Sequence, residues 1–350
     1  MTTKKRPGMT KRPGRILVLV HPDLVPPDEA KPEEVLGSPW KTEYDVVKTL
    51  KELGHEIQVI PVGGELGGLR QAIHDFKPTV AFNLLEGFDE VVTFDANIVA
   101  YLELLKVRYT GCNSRGLLLG RDKAIAKKLL TYHRIPVPDF AIFPRGRRMK
   151  KPKKLPFPLF VKSLTLDASI GISQASVVET EEKLTERVQF IHEKVGTDAL
   201  VEQFIDGREM YVGVLGNRQL ATLPIWELLF TKMPDDVRKI ATERLKWSLS
   251  YQKKHGIVSD EAKDLPPEIS KRIREVCKRV YKVLQMSGYA RIDLRLAADG
   301  RVYVIEANPN PQLSRDEDFA QSALKQGVEY PDLVERIVTL GRSFEPTLWG

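Results

Sequence analysis

Cysteine is nearly missing: Cys112 and Cys277 are the only two in 350 residues. Two thiols cannot build a disulfide framework, and these two sit in no metal-ligand spacing. The six histidines form no HxxxH-type cluster, so the residues argue against zinc and thiol chemistry. Long apolar runs are missing as well. The longest early one, Ile16 to Val20, is far too short to span a bilayer or to form a signal-peptide core, and a cytoplasmic protein without a membrane partner is expected. No aromatic residues interleave the basic clusters, which weakens a stacking platform for single-stranded nucleic acid.

What is present is enough apolar content, 42% of 350 residues, for two or three domains with their own cores. The formal charge of +7 is concentrated. Lys4, Lys5, Arg6, Lys11, Arg12 and Arg15 supply +6 before any acidic residue appears. A second basic cluster runs from Arg145 to Lys154. Both fall in Pro- and Gly-bearing segments and read as a solvated tail and a solvated loop, so a nucleic-acid partner is not expected.

The N-terminal third alternates. Arg15 to His21, Glu56 to Val62 and Thr79 to Leu85 read as strands, and Glu43 to Leu53 (ended by Gly54), Leu66 to Phe76 and Asp95 to Leu105 as helices. Right-handed crossovers make this a small parallel sheet. Gly63, Gly64, Gly67 and Gly68 follow the second strand without GxGxxG spacing and read as a turn. Val107 to Gly111 reads as a short strand. A helix from Asp122 to His133 takes Asp122 as N-cap, which places Lys123 in the first turn, where positive charge opposes the helix dipole and points to an anion nearby. Lys162 ends an apolar strand and precedes a Ser-, Thr- and Gly-bearing flap. Ala199 to Phe204 and Glu209 to Leu215 are strands around Asp206-Gly207. Trp226 to Asp264 shows no period and is expected to be a mobile loop, and Leu265 to Met286 an amphipathic helix.

The densest chemistry lies in Tyr289 to Pro311. Arg291, Asp293 and Arg295 alternate with Ile292, Leu294 and Leu296, the period of a half-buried strand. Val302 to Asn308 pairs with it across Asp299-Gly300. A two-residue turn sets Asp293 opposite Glu306, and a four-residue loop sets it opposite Val304. Either register keeps Asp293, Glu306 and Asn308 on one face, a hard oxygen set suited to magnesium.

In this order the motifs YTGCNSRGLLLGRDKAIAKKLL, FPLFVKSLTLDASIGIS, LVEQFIDGREMYVGVLG and the metal hairpin resemble the ATP-grasp superfamily, in its D-alanine:D-alanine ligase-like branch, from about Arg15 to Arg342. The resemblance implies an ATP-grasp fold of α/β class: a basic tail (1–14), a small parallel-sheet domain (15–121), a central lid (122–209) and a C-terminal domain (210–345). It implies an ATP-dependent ligase that joins a small-molecule or peptide carboxylate to an amine through an acyl phosphate, using ATP and two Mg2+ ions, with Mn2+ as a substitute. A homodimer is one assembly it allows. By position, Lys123, Lys162 and Ser169 match phosphate contacts, Glu202, Gln203, Phe204 and Ile205 the adenine hinge, Glu209 the ribose carboxylate and Ile305 the residue under the base. Lys246 matches the mobile-loop lysine, Arg291 the arginine at the reacting oxygens, and Asp293, Glu306 and Asn308 the magnesium ligands. Glu43 matches the glutamate that meets the first substrate's amine.

The departures concern substrate. Asp167 and Ala168 replace a flap glycine and serine, Gln312 replaces a glycine, and Glu317 and Asp318 stand where a serine and a leucine hold the second D-alanine. D-alanine:D-alanine specificity is therefore not expected. The rival functions are phosphoryl transfer without ligation, nucleotide-dependent regulation and polyanion binding.

Overall fold

The computed structural model describes residues 13–346 except 148, 150, 167, 168, 235 and 236. Most of the basic tail, two positions of the basic loop and the flap residues Asp167 and Ala168 thus lie outside the described residues. By internal contacts the chain forms two compact units: Met1–Gly111 with Gln312–Ala320 and Gly327–Gly350, and Cys112–Pro311 with Gln321–Gln326. Among the described residues no helix is long and apolar enough to cross a membrane.

The first unit holds a parallel three-stranded sheet in the order β2-β1-β3, with β1 at Arg15–Val20, β2 at Glu56–Pro61 and β3 at Val80–Asn83. Ile16 to Val20 are buried without alternation, as in a central parallel strand covered on both faces. The crossover helix Lys41–Glu52 is followed by Gly54 at φ +84°, and the C-terminal helix Tyr330–Ser343 buries Leu333, Val334, Ile337 and Val338. Two expectations need correction. Gly67 and Gly68 open the helix Gly67–Phe76, leaving Gly63 and Gly64 for the turn. Val107 to Gly111 makes only an isolated bridge, Ala81 to Tyr109, because Gly111 at φ +90° turns the chain away.

The second unit contains two antiparallel sheets. One has the order β4-β7-β5-β6, with β4 at Phe140–Phe143, β5 at Leu159–Ser163, β6 at Val177–Val178 and β7 at Ala199–Gln203. Helix Glu181–Phe190, capped by the Thr180 hydroxyl, covers it through Leu184 and Val188. The other has the order β11-β10-β8-β12-β13, with β8 at Arg208–Leu215, β9 (Ala221–Thr222, paired to β8), β10 at Trp226–Phe230, β11 at Ile257–Glu261, β12 at Tyr289–Leu296 and β13 at Val302–Pro309. Helix Pro267–Val283 buries Ile273, Val276, Cys277, Val280 and Tyr281.

Residues 226–264, expected as a mobile loop, are structured: β10 and β11 pair, and helices Glu243–Trp247 and Leu249–His255 lie between them, capped by Thr242 and Ser248. Each element is too short to show a period in sequence. The hairpin keeps the expected pairing of Asp293 with Glu306 but reaches it through neither expected turn. The Ala297 N–H donates to the Arg301 carbonyl at 2.9 Å, with Gly300 at φ +79°, so the turn is a three-residue loop with glycine in the left-handed position. Leu294 then pairs with Val304, and a bulge at Ile305 shifts the register so that Asp293 faces Glu306.

Candidate functional site

The bulge matters because neighbours on a regular strand point to opposite faces. On β13, Val302 and Val304 are buried before it and Ala307 after it, while Tyr303, Ile305, Glu306 and Asn308 are only partly covered. Ile305 and Glu306, though adjacent, therefore both open onto one cavity. Lys123, Lys162, Ser169, Glu202, Gln203, Phe204, Ile205, Glu209, Lys246, Asp293, Ile305 and Glu306 all line it. The passage from β7 to β8 is tight: at Gly207, φ +149°, a Cβ would lie 2.2 Å from the Leu296 carbonyl oxygen. No other residue fits there without moving a strand.

One end of the cavity is an array of lysines and carboxylates. Asp122 caps helix Lys123–Tyr132 by accepting from the Ala124 and Ile125 N–H groups, and this aims Lys123 inward, with Nζ donating to the Leu166 carbonyl at 2.9 Å and 3.8 Å from Glu306. Lys162 Nζ lies 3.1 Å from Glu202 and 3.7 Å from Glu306. Burial works against the Lys162 charge, but the charges of Glu202 and Glu306 outweigh it and raise its pKa above the usual lysine value. Burial likewise opposes ionisation of Glu202, and Lys127 and Lys162 overcome it, so its carboxyl titrates below the ordinary range. Both groups stay charged in the interior.

Beside this array, Arg291 holds Asp293 with two hydrogen bonds, 2.8 and 3.0 Å, and the Asn308 amide donates to Asp293 at 2.9 Å. Burial raises the Asp293 pKa against the pull of Arg291, and the nearby charge of Glu306 adds to the rise. Asp293, Glu306 and Asn308 offer only oxygen donors. Among the described residues no group of three or more His, Cys, Asp or Glu side chains is placed to hold a metal, so these residues supply no closed cage. Two carboxylates and an amide fit magnesium, which keeps most of its ligands as water or phosphate oxygen.

Glu209, which also lines the cavity, is fixed on both oxygens, by Arg295 at 2.5 Å and by the Tyr211 hydroxyl at 2.8 Å. The same tyrosine ring lies 5.0 Å from the Arg291 guanidinium, in cation–π range. Ser169, in the flap, has φ +59°. Glu243 accepts from the Gly171 N–H at 2.8 Å and donates its own N–H to the Ile172 carbonyl at 3.0 Å, tying the flap to the helix that carries Lys246.

Glu43 and Glu317 belong to the first unit. Glu43, 4% exposed, leaves one carboxylate oxygen without a partner, and burial, with a smaller push from Glu86, raises its pKa to about 7. The unfolded chain releases this proton near 4.5 while the folded chain keeps it to about 7, so stability falls as pH rises between them, by roughly 3 kcal/mol. Glu43→Gln should therefore melt like the wild type at pH 5 and several degrees higher at pH 8. Equal melting temperatures at pH 8 would contradict the assigned burial cost. Glu317 is half-buried, and its segment is fastened to the Glu43 helix: Lys41 pairs with Asp316, and Arg315 donates to Asp45 at 3.0 Å and to Thr49 at 2.8 Å.

Sequence reasoning missed Lys127, Tyr211 and the role of Arg295. Lys127 follows Lys123 by four positions on one helix face, the signal that could have found it. Tyr211 follows Glu209 by two on one strand face.

Against known proteins, residues 129–339 match the model of the D-ala D-ala ligase C-terminus. An uncharacterised protein of Sinorhizobium fredii is 31% identical over 86% of this chain and 88% of its own length. The D-alanine–D-alanine ligase of Desulforudis audaxviator is 29% identical, covering 87% of each chain. Among solved structures, the Bacillus anthracis D-alanine–D-alanine ligase complexed with ATP superposes with a TM-score of 0.71 at 23% identity, over 94% of this chain and 97% of that one. With the family model covering more than half of its length, this chain belongs to the D-alanine–D-alanine ligase family, ATP-dependent ligases that form carbon–nitrogen bonds on the ATP-grasp fold.

Proposed function

We propose that this ligase uses ATP and magnesium to join a carboxylate to an amine that is not the α-amine of a free D-alanine. The observation that carries the ATP half is the single cavity in which Lys123, Lys162 and Lys246 face Asp293 and Glu306, with Phe204, Ile205 and Ile305 supplying apolar walls. Flat walls suit a base, Glu209 suits ribose hydroxyls, and the lysines suit phosphate oxygens. Asp293, Glu306 and Asn308 would hold the magnesium, which supplies charge neutralisation at the phosphate oxygens when bound. Lys123 and Lys162 neutralise the same region from the protein side, and Arg291 is assigned to the developing negative charge on the substrate's acyl phosphate. Glu43 is assigned to the amine of the first substrate. No nucleophilic side chain is needed, since fixed charges aimed at a phosphoryl group do most of the catalytic work.

The acceptor half follows from Glu317. In the D-alanine-specific pattern a neutral serine stands here, receiving the acceptor's carboxylate. In this acidic segment Asp316 pairs with Lys41, and Glu317 is half-buried at the position of that serine. Two carboxylates at about 4 Å repel by on the order of 1 kcal/mol in water and about 4 in a partly closed site. An acceptor without a free carboxylate beside its amine, or with a second positive charge, avoids that repulsion. Measuring ADP release with D-alanine against diamines, amidated amino acids and basic peptides tests it. Glu317→Ser is expected to gain activity toward free amino acids, and efficient D-alanyl-D-alanine synthesis by the wild type would refute the proposal.

A further inference from the structure

Three lysines surround Glu202 and Glu306, but only two of them line the cavity. Lys123 and Lys162 do, whereas Lys127, one turn after Lys123, is 2% exposed and, among the described residues, forms an ion pair with Glu202 only, at 2.9 Å. Glu202 is as deeply buried and has one oxygen on each lysine, Oε2 on Lys127 and Oε1 on Lys162. A buried carboxylate stripped of one partner keeps most of its desolvation cost uncompensated. Lys162 therefore faces competing demands, from Glu202 on one side and from the cavity on the other.

We propose that Lys127 is a positioning residue: it acts as the fixed counter-ion of Glu202, so that Lys162 can turn its ammonium to phosphate oxygens without leaving a buried carboxylate unpaired. The proposal rests on reading the cavity as a nucleotide site. Burial outweighs the pull of Glu202 and lowers the Lys127 pKa, whereas that of Lys162 is raised. The two lysines share one carboxylate yet differ in surroundings. Lys162 has Glu306 at 3.7 Å and the cavity as further partners, whereas among the described residues Lys127 has Glu202 alone within ion-pair distance and feels Glu306 only from farther off. Without Lys127, Lys162 becomes the only neutralising charge on Glu202 and is held back from the cavity.

A double-mutant cycle on the full chain separates this from plain structural support. ADP and adenosine affinities are measured by calorimetry for the wild type, Lys127→Met, Glu202→Gln and the double variant. Lys127→Met is expected to weaken ADP about tenfold and adenosine less than twofold, since only a phosphate needs Lys162. Once Glu202 is neutral, Lys127 has nothing to balance, so the double variant should bind ADP within twofold of Glu202→Gln. If Lys127→Met alone does not fold, that last comparison still decides. A tenfold further loss in the double variant, or equal losses for adenosine and ADP, overturns the positioning role. Absence of any nucleotide binding by the wild type overturns it together with the nucleotide reading.

Discussion

Glu306→Gln should leave a folded protein with no measurable turnover, a loss on the order of 10³-fold or more, as expected when a metal's charge balance and its ligation fail together. Glutamine has nearly the shape of glutamate, and Glu306 is 18% exposed on the cavity face of β13, so no core contact is lost. What changes is charge. Asp293 remains as the one carboxylate of the oxygen set, and it is already engaged by Arg291. Lys123 and Lys162, at 3.8 and 3.7 Å from Glu306, lose the anion they share. Both consequences act at the lysine-lined end of the cavity, so the thermal midpoint should move by only a few degrees while ATP consumption disappears. Wild-type-like ATP consumption in this variant would remove Glu306 from the metal site.

For Lys162→Ala the expected loss of rate is roughly 10² to 10³-fold, typical of removing one preorganised charge from a reacting group. Here stability should fall as well. Lys162 is buried and paired with Glu202, and breaking a buried pair costs about 3–5 kcal/mol. Lys127 remains on the other oxygen of Glu202 and should keep the cost toward the lower end. Rates must accordingly be taken on the folded fraction, measured by circular dichroism at the assay temperature. A change below about threefold would mean that Lys162 serves only Glu202.

The sequence showed the carboxylates more clearly than the lysines' partners. Asp293, Glu306 and Asn308 were legible because strand alternation and an Asp-Gly turn place them on one face whichever register forms. The bulge was not legible. It depends on how Ile305 fits between β12 and the cavity, which no local pattern encodes. Lys123 stood out by being misplaced in a helix dipole, and Lys127 did not, since a lysine in mid-helix reads as solvated until its burial is known. Residues 226–264 were misjudged for a different reason. Their strands and helices run only five to seven residues and are stabilised by tertiary pairing and by Thr242 and Ser248 caps, so they carry little periodic signal. In the first unit the buried runs of β1 and β3 were plain, whereas the fastening of the Glu317 segment to the Glu43 helix joins residues about 270 positions apart.

The bulge at Ile305 also divides β13 into two frames with opposite rules. Ahead of it, the even-numbered Val302 and Val304 face the core; beyond it, the odd-numbered Ala307 does. A scan of substitutions along this strand should show tolerance alternating, pausing at Ile305, and resuming out of phase. Deleting one residue at the bulge would restore a regular ladder at the expense of the site. Either Ile305 or Glu306 would then turn into the core, because an unbroken strand cannot show two neighbours to the same side.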